Sequence, residues 1–232
     1  MKMLDFILSK LNLLILVTAI FAIVAFFAAS LTDIAKVKEA SELASKIKEQ
    51  SFSLVNSPNY CFTDSYQIPD ELAIAGSSYY YVLKVSKQEL EMEDGGKINV
   101  LIYSIYTRDE IKRSFTSSTS SGAYVPKAIA ADSFRTSAQI HLYAVGSYNG
   151  SGYDTLSGDG SGTVPEEDSI FIDPQAENPK NSLEFIKEVV AGKTSFYVIG
   201  CNKEAAGCEV DRERIGKIAH ISGNQGEGGF LC

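Results

Sequence analysis

Residues 11–31 read LNLLILVTAIFAIVAFFAASL, a run without a charged side chain. A helix of about 21 residues rises about 31 Å, which matches the hydrocarbon core of a bilayer. The run therefore predicts a transmembrane helix over 11–31, preceded by a short tail of residues 1–10. The lipid bilayer is the first predicted partner of the chain.

A cleaved secretory signal is the alternative interpretation of this run, because Ala28-Ala29-Ser30 could serve as a small-residue cleavage site. The apolar stretch of a signal covers only about 7–15 residues, which is shorter than this one. The helical pattern also continues through residues 32–54 without a break where a mature chain would begin. We therefore predict an uncleaved, single-pass anchor.

Residues 32–56 predict an amphipathic stem that prolongs the anchor helix. One stripe of this stem is expected to hold Ile34, Val37, Ser41, Ala44 and Ile47, with lysines and glutamates on the other faces. The stem is expected to end at the Asn-Ser-Pro-Asn sequence that starts at residue 56.

Small side chains recur along the anchor at intervals of four, three and four residues, at Thr18, Ala22, Ala25 and Ala29. This spacing places them on one face of a helix, and such faces let transmembrane helices approach closely. Self-association, or contact with other envelope proteins through this helix, is the predicted protein partnership. Alanine is common in such helices for other reasons, so an anchor without this contact is the alternative.

The charge of the chain excludes one class of partner. The net charge is −8, and no basic stripe interrupts the acidic composition. Nucleic-acid binding needs clustered Lys and Arg, so no nucleic-acid partner is expected.

The orientation of the anchor rests on conflicting signals. The lysines that follow the run outnumber Lys2 and Lys10 before it, which alone favours a cytoplasmic body. A short tail before a long domain is the usual layout of an exported anchored protein, and the later lysines are interleaved with acidic residues. We therefore predict a cell-membrane protein whose residues 57–232 form an extracytoplasmic domain.

Four cysteines follow the anchor: Cys61, Cys201, Cys208 and Cys232. An even count suits two disulfides in an oxidising compartment. We expect Cys201 to pair with Cys208 around a short polar loop, which leaves Cys61 for Cys232. Buried free thiols are the alternative. Zinc is disfavoured, because the thiol spacing is not C-x₂₋₄-C and His141 and His220 form no local ligand pair.

The sequence of residues 57–232, the body of the protein, predicts strands more often than helices. Strands are expected over 78–86, 97–106, 138–145, 169–173, 194–201 and 216–222, with a hairpin turn at Glu93-Asp94-Gly95-Gly96. A short helical turn is expected over 108–113. Residues 181–191 predict a helix, because Asn181 can cap it, Glu184 follows three residues on, and Gly192 can end it. The predicted fold class is α+β: a long N-terminal helix, then a mainly antiparallel sheet with one or two short helices.

The loop over residues 146–167 is rich in glycine and acidic residues. Its carboxylates, with the adjacent Asp168, could hold Ca²⁺, although no EF-hand spacing is present and a solvated loop is the simpler interpretation; they are Asp154, Asp159, Glu166, Glu167 and Asp168. Asn149-Gly150-Ser151 fits the N-x-[ST] rule, so Asn149 is a candidate glycosylation site.

The sequence carries none of the common catalytic motifs. The sequence has no G-x-S-x-G, H-E-x-x-H or phosphate-binding G-x-x-x-x-G-K-[ST] segment. Tyr79-Tyr80-Tyr81 could form a binding face, but tyrosines in such runs usually pair across strands. We therefore predict no catalytic residue, metal or cofactor, and we do not expect an enzyme.

The order of parts resembles the type IV pilin-like group, including archaeal pilins: a short charged leader, an apolar helix that continues as a stem, a β-rich head and late cysteines. The resemblance covers the layout, mainly residues 1–60. The leader here ends Ser9-Lys10 before Leu11, and Ile15 stands where many pilins have glutamate. The resemblance implies a surface structural protein and, more specifically, a filament subunit. An extracytoplasmic ligand- or calcium-binding module on a tether, and a tethered enzyme, are the alternatives.

Overall fold

The computed structural model describes residues 2–74, 76–92, 95–116, 124–154, 166–202 and 208. It confirms the α+β class, with a long N-terminal helix before a mainly antiparallel β-body that carries one short helix in the described residues. In chain order the elements are α1 (Lys2–Val55), β1 (Cys61–Gln67), β2 (Leu72–Ile74), β3 (Ser77–Tyr79), β4 (Tyr81–Glu91), β5 (Lys97–Thr107), α2 (Arg108–Thr116), β6 (Ala130–Thr136), β7 (Gln139–Ala144), β8 (Ser169–Ile172), β9 (Ser182–Val190) and β10 (Lys193–Cys201).

Helix α1 runs through the predicted tail, anchor and stem without interruption. It contains 54 residues and begins at Lys2, so the segment predicted as a separate tail is helical too. It ends at Val55, where Asn56 Nδ2 donates to the carbonyl of Phe52 at 2.8 Å and Pro58 follows two residues later. The predicted end of the stem is confirmed.

The buried stripe of the stem differs in part from the predicted one. Ala44 and Ile47 are fully buried, as expected, whereas Ile34 and Val37 are 63% and 50% exposed and Ser41 is exposed as well. The body contacts α1 from Ala35 and Lys36 onward, but Ile34 and Val37 lie on a side of the helix that faces away from it. Ile34 also lies about 140° around an ideal helix from Ile47. The other buried members of the true stripe are Leu43, Ser51, Leu54 and Val55.

The body contains two four-stranded sheets and a small ribbon. The first sheet has the order β1-β9-β10-β7, in which only the β10–β7 pair is parallel. The second sheet has the order β6-β5-β4-β8 and is antiparallel throughout. Strands β2 and β3 form the ribbon.

One hydrophobic core joins α1 to both sheets. It contains Ile47 from α1, Leu83 and Tyr103 from the second sheet, and Phe185 and Phe196 from the first, all fully buried. Inside it, Ser51 Oγ lies 2.6 Å from the Tyr103 hydroxyl and donates to or accepts from it. Burial raises the pKa of Tyr103, so this phenol stays neutral and able to share a hydrogen bond with α1.

The sequence predicts a hairpin at residues 93–96, and the antiparallel pairing of its two strands, β4 and β5, is confirmed. Its register runs from Tyr81 opposite Thr107 to Glu91 opposite Lys97. Gly95 has φ +79°, which only glycine adopts readily, while Glu93 and Asp94 of the predicted turn lie outside the described residues. The strand predicted over 78–86 is divided at Tyr80 into β3 and β4.

The helix predicted over 181–191 is wrong: this segment is strand β9. It pairs with β1 on one side and β10 on the other, and Ser182 through Glu188 are all buried. Ala191 and Gly192, which follow it, both have positive φ (+50° and +79°) and form the two-residue turn into β10. The glycine interpreted as a helix end is therefore the second residue of a hairpin turn. Strands β1, β2 and β6 were not predicted, and the strand predicted over 216–222 lies outside the described residues.

Candidate functional site

The anchor is a fully exposed apolar rod. Every side chain from Leu11 to Leu31 is exposed, including Phe21 and Phe26 at 70% and 72%. Helix α1 is long and apolar enough to cross a membrane. Soluble proteins rarely expose so large a contiguous apolar surface to water, whereas the hydrocarbon of a bilayer can surround an apolar helix on every side. The structure thus fits an N-terminal membrane anchor.

The small-residue face of the rod lies on the same side of α1 as the body. With 100° per residue, Thr18, Ala22, Ala25 and Ala29 fall within about 40° of the line through Ala40, Leu43 and Ile47. The Thr18 hydroxyl donates within the helix, at 2.9 Å from the Ile15 carbonyl. This is what a polar group surrounded by lipid requires.

A charged cleft lies where the edge of the first sheet meets the second. It encloses about 430 Å³ and is lined by Lys87, Glu89, Asn99, Gln139, Ile140, His141, Glu166 and Asp168. At its centre the Glu166 carboxylate accepts from Lys87 Nζ and contacts His141 Nδ1 at 3.0 Å. The His141 ring is stacked on Tyr197, with centroids 4.9 Å apart.

The electrostatics of this cleft keep Glu166 ionised. Partial burial alone would raise its pKa, but the hydrogen bonds from Lys87 and His141 outweigh burial and the pKa is lowered. The residues of the cleft come from four places in the chain, so local spacing could not reveal it. Of its lining residues, only His141, Glu166 and Asp168 were considered as possible ligands from the sequence.

The acidic-loop carboxylates that were considered for calcium are not gathered at one point among the described residues. Glu166 binds Lys87, whereas Asp154 accepts from Asn149 Nδ2 at 3.2 Å. Burial raises the pKa of Glu167, and Asp159 lies outside the described residues. The described carboxylates therefore neither form one cluster nor all lie in solvent.

Asn149 is exposed and sits in a tight turn. Its Oδ1 accepts from the backbone N–H groups of Ser151 and Gly152, at 2.9 and 3.1 Å. Glycosylation at this residue stays a prediction, because the structure places the acceptor at the surface and says nothing of a glycan.

The Cys201–Cys208 disulfide is formed, with Cα atoms 4.9 Å apart. Cys61 is also disulfide-bonded, but Cys232 lies outside the described residues, so the Cys61–Cys232 pairing stays a prediction. Glu184 lies close to both Cys201 and Cys208 in an arrangement that resembles a metal site. Because both sulfurs are in the disulfide, neither is available as the thiolate that zinc prefers.

Two polar features of the body serve packing. Tyr81 pairs across strands with Thr107 and donates to the Pro69 carbonyl at 2.6 Å, while Tyr80 is 53% exposed. Asp173 is fully buried and accepts from Arg108 Nε at 3.1 Å and from the Tyr148 hydroxyl at 2.9 Å. Sequence reasoning missed this ion pair, because its partners are separated by about 65 positions.

Comparison with models of protein families, with curated proteins and with solved structures finds no match for this chain.

Proposed function

We propose that the chain is a single-pass, membrane-anchored surface protein with a structural or interaction role. The N-terminal half of α1 attaches it to the membrane, and residues 57–232 are presented outside. One observation carries the proposal: a single unbroken helix has a fully exposed apolar half and a half that lies in the core of the body. A cleaved signal would not share its helix with the core of the mature domain.

Two measurements on intact cells test the anchoring and the orientation. The full chain should stay in the membrane pellet after alkaline carbonate extraction. A protease added outside the cells should degrade the body and leave a membrane-protected N-terminal fragment. Recovery of the full chain from the soluble fraction would contradict anchoring, and a body protected until the cells are opened would reverse the orientation.

A more specific form of the proposal is that the chain is a subunit that associates with other subunits through the anchor, as in a pilin-like filament. The small face supports it, because Ala22, Ala25 and Ala29 allow close helix approach. Replacing all three by Leu should weaken association in detergent, measured by sedimentation or by cross-linking. The matched control replaces Ile20, Val24 and Phe27, on the opposite side, by Leu. Equal association of both variants would remove this form of the proposal and leave the anchor intact.

Ligand binding in the charged cleft is a second candidate function. Its support is the 430 Å³ volume and the three carboxylates of Glu89, Glu166 and Asp168 that line it. Calcium titration by calorimetry tests the metal version, with Glu166→Gln as the variant that should weaken binding. An absence of heat and of any melting shift at millimolar calcium would exclude it.

A further inference from the structure

A second uncharged stretch of the chain lies near the start of the body. Residues 72–83 read LAIAGSSYYYVL and contain the ribbon of β2 and β3 and the first residues of β4. The large aliphatic side chains of this stretch are buried. Its exposed described members are small or carry a hydroxyl group, and they are Ala73, Gly76, Ser77, Ser78 and Tyr80. Tyr80, which is 53% exposed, is therefore the large side chain that the stretch presents to its surroundings.

Contacts along α1 give the position of this stretch relative to the anchor. Lys36 Nζ lies 4.3 Å from the centroid of the Tyr79 ring. Further along α1, Ser51 Oγ lies 2.6 Å from the hydroxyl of Tyr103, which pairs with Val85 of β4. The helix rises about 22 Å from Lys36 to Ser51, and the strand extends about 20 Å from Tyr79 to Val85. Because the two lengths agree, β4 runs beside α1 in the same direction and begins at the end nearer the anchor.

The beginning of β4 lies close to the level at which the anchor leaves the bilayer. Lys36 follows Leu31 by five residues, so the helix rises about 8 Å between them. Each headgroup layer of a bilayer is about 5–8 Å thick. If Leu11–Leu31 spans the hydrocarbon core, Tyr79 and the adjacent Tyr80 therefore lie at the level of the headgroups. A bilayer surrounds the anchor on every side, so an exposed side chain at this height meets headgroups whichever way it points.

The residue types at this height suit a membrane interface. Tyrosine is enriched there, because its ring is apolar while its hydroxyl can bond to headgroups and to water. Lysine near the end of a membrane helix extends its ammonium group towards the polar layer, and Lys36 has this place in α1. Residues 72–83 carry no charge, so they bring no carboxylate towards the phosphates.

We propose that Tyr80, together with the β2–β3 ribbon before it, forms a second contact between the protein and the lipid bilayer. This inference rests on the proposed membrane anchor, since the height of Tyr80 is measured from Leu31. The partner is the headgroup region of a phospholipid surface, and no anionic lipid is required because the stretch is uncharged. A single helix leaves the body free to tilt, whereas a second contact restricts the tilt and selects the side of the body that faces the membrane.

Tryptophan fluorescence tests this contact, because the chain contains no tryptophan of its own. Three full-length variants each carry a single tryptophan: Tyr80→Trp at the proposed contact, Phe21→Trp in the anchor and Tyr60→Trp as the matched control. Tyr60 is 77% exposed and follows the end of α1 at Val55, about 36 Å of helix beyond Leu31. Each variant is reconstituted into phosphatidylcholine vesicles whose acyl chains are brominated either near the headgroup or near the chain end. Bromine quenches only the tryptophans that lie close to it.

The three variants separate the proposed contact from the anchor on which it depends. Lipid brominated near the headgroup should reduce the emission of Tyr80→Trp by about twofold or more and leave that of Tyr60→Trp unchanged. Phe21→Trp should be quenched most by lipid brominated near the chain end. If Phe21→Trp is quenched but Tyr80→Trp emits like Tyr60→Trp, the contact is wrong and the anchor stands. If Phe21→Trp is not quenched either, the anchor fails and the contact with it.

The unaltered chain in the same vesicles gives a check that needs no substitution. Hydroxyl radicals generated in the water oxidise accessible tyrosines, and mass spectrometry measures the extent at each residue. Tyr60 should be oxidised several-fold more than Tyr80, well beyond the ratio of their exposed fractions, 77% to 53%. Oxidation of the two residues in proportion to those fractions would show that lipid does not cover Tyr80 and would overturn the proposal.

Discussion

The two halves of α1 differ in which of their faces are apolar. From Leu11 to Leu31 the helix is apolar on all sides and fully exposed, whereas from Ala40 to Val55 it carries one buried apolar stripe and its other sides are mainly polar, apart from the half-exposed Phe52. Yet the line of small residues in the first half continues into the buried stripe of the second. One helical periodicity therefore serves two environments: a helix that docks on a protein core needs one apolar face, and a helix that lies in lipid needs every face to be apolar.

The largest effect is expected where the second half enters the body. Ile47→Ala should lower the free energy of unfolding of the body by about 3 kcal/mol, because it leaves a cavity at a 0% exposed position. Ile34→Ala, at a 63% exposed position of the same helix, should change it by less than about 0.5 kcal/mol. Urea unfolding in detergent, followed by tyrosine fluorescence, measures both. Equal effects would mean that the stem does not dock as described.

In the first half of α1, an introduced charge should have a larger effect than a cavity, because these side chains are exposed and not packed in a core. Val24→Arg places a cation near the middle of the predicted span, at a cost of about 2.5–3.5 kcal/mol for insertion, and should reduce the membrane-retained fraction. Val37→Arg is the matched control, since Val24 and Val37 are 58% and 50% exposed but only Val24 lies within Leu11–Leu31. Carbonate extraction of the two variants gives the comparison. If both variants stay in the membrane equally, the run does not act as the anchor.

A smaller effect is expected at the polar contact between α1 and the second sheet. Ser51→Ala leaves the Tyr103 hydroxyl without its 2.6 Å partner in the core, so stability should fall by about 1–2 kcal/mol. Ser53→Ala, at an exposed position two residues away, should have almost no effect in the same unfolding assay. Restoration of stability by adding Tyr103→Phe to Ser51→Ala would show that the unpaired hydroxyl causes the loss.

The smallest effect is electrostatic and depends on pH. Lys48 Nζ on α1 contacts Asp132 Oδ2 on β6 at 2.9 Å. Burial opposes ionisation of Asp132, but the hydrogen bonds from Lys48 and from the backbone prevail and its pKa is lowered. A lowered folded-state pKa contributes stability above the unfolded-state value of about 3.9, and this contribution is lost as the pH falls through the folded-state value.

Lys48→Met tests this pair. It should cost stability at pH 7, and the difference from the unaltered protein should shrink as the pH falls below about 4. Lys38→Met removes a partner of Glu42 on the exposed side of α1, at 3.8 Å, and should leave the pH profile of the melting temperature unchanged. A difference that is constant from pH 7 to pH 3 would contradict the assigned role of Asp132.

The features that could be predicted from the sequence are those set by residues close together in the chain. The uncharged run, the β4–β5 hairpin and the Cys201–Cys208 loop depend on neighbouring residues, and local patterns describe those well. Strand β9 was mistaken for a helix because its residues from Ser182 to Glu188 are buried on both faces and so lack the simple alternation of a half-exposed strand. The capping pattern of Asn181 and Glu184, with Gly192 after the segment, then favoured a helix.

The charged cleft could not be predicted from the sequence for a related reason. Lys87 is brought to Glu166 by the pairing of β4 with β8, and His141 reaches the same carboxylate from the edge of the other sheet. Such a site depends on strand order, which a single sequence does not specify. The predicted stripe of the stem is wrong at Ile34, Val37 and Ser41, because the side of α1 that the body covers is also a tertiary property.

The segment between the last residue of the uncharged run and the first stem residue that contacts the body sets a height. From Leu31 to Ala35, which packs against the core, the helix rises about 6 Å, and one headgroup layer is about 5–8 Å thick. In a bilayer that spans Leu11–Leu31, the underside of the body, where Lys36 lies over the Tyr79 ring at 4.3 Å, would therefore stand at the level of the headgroups. So short a free segment of continuous helix would hold the body directly against the membrane surface and leave little room for other molecules between them.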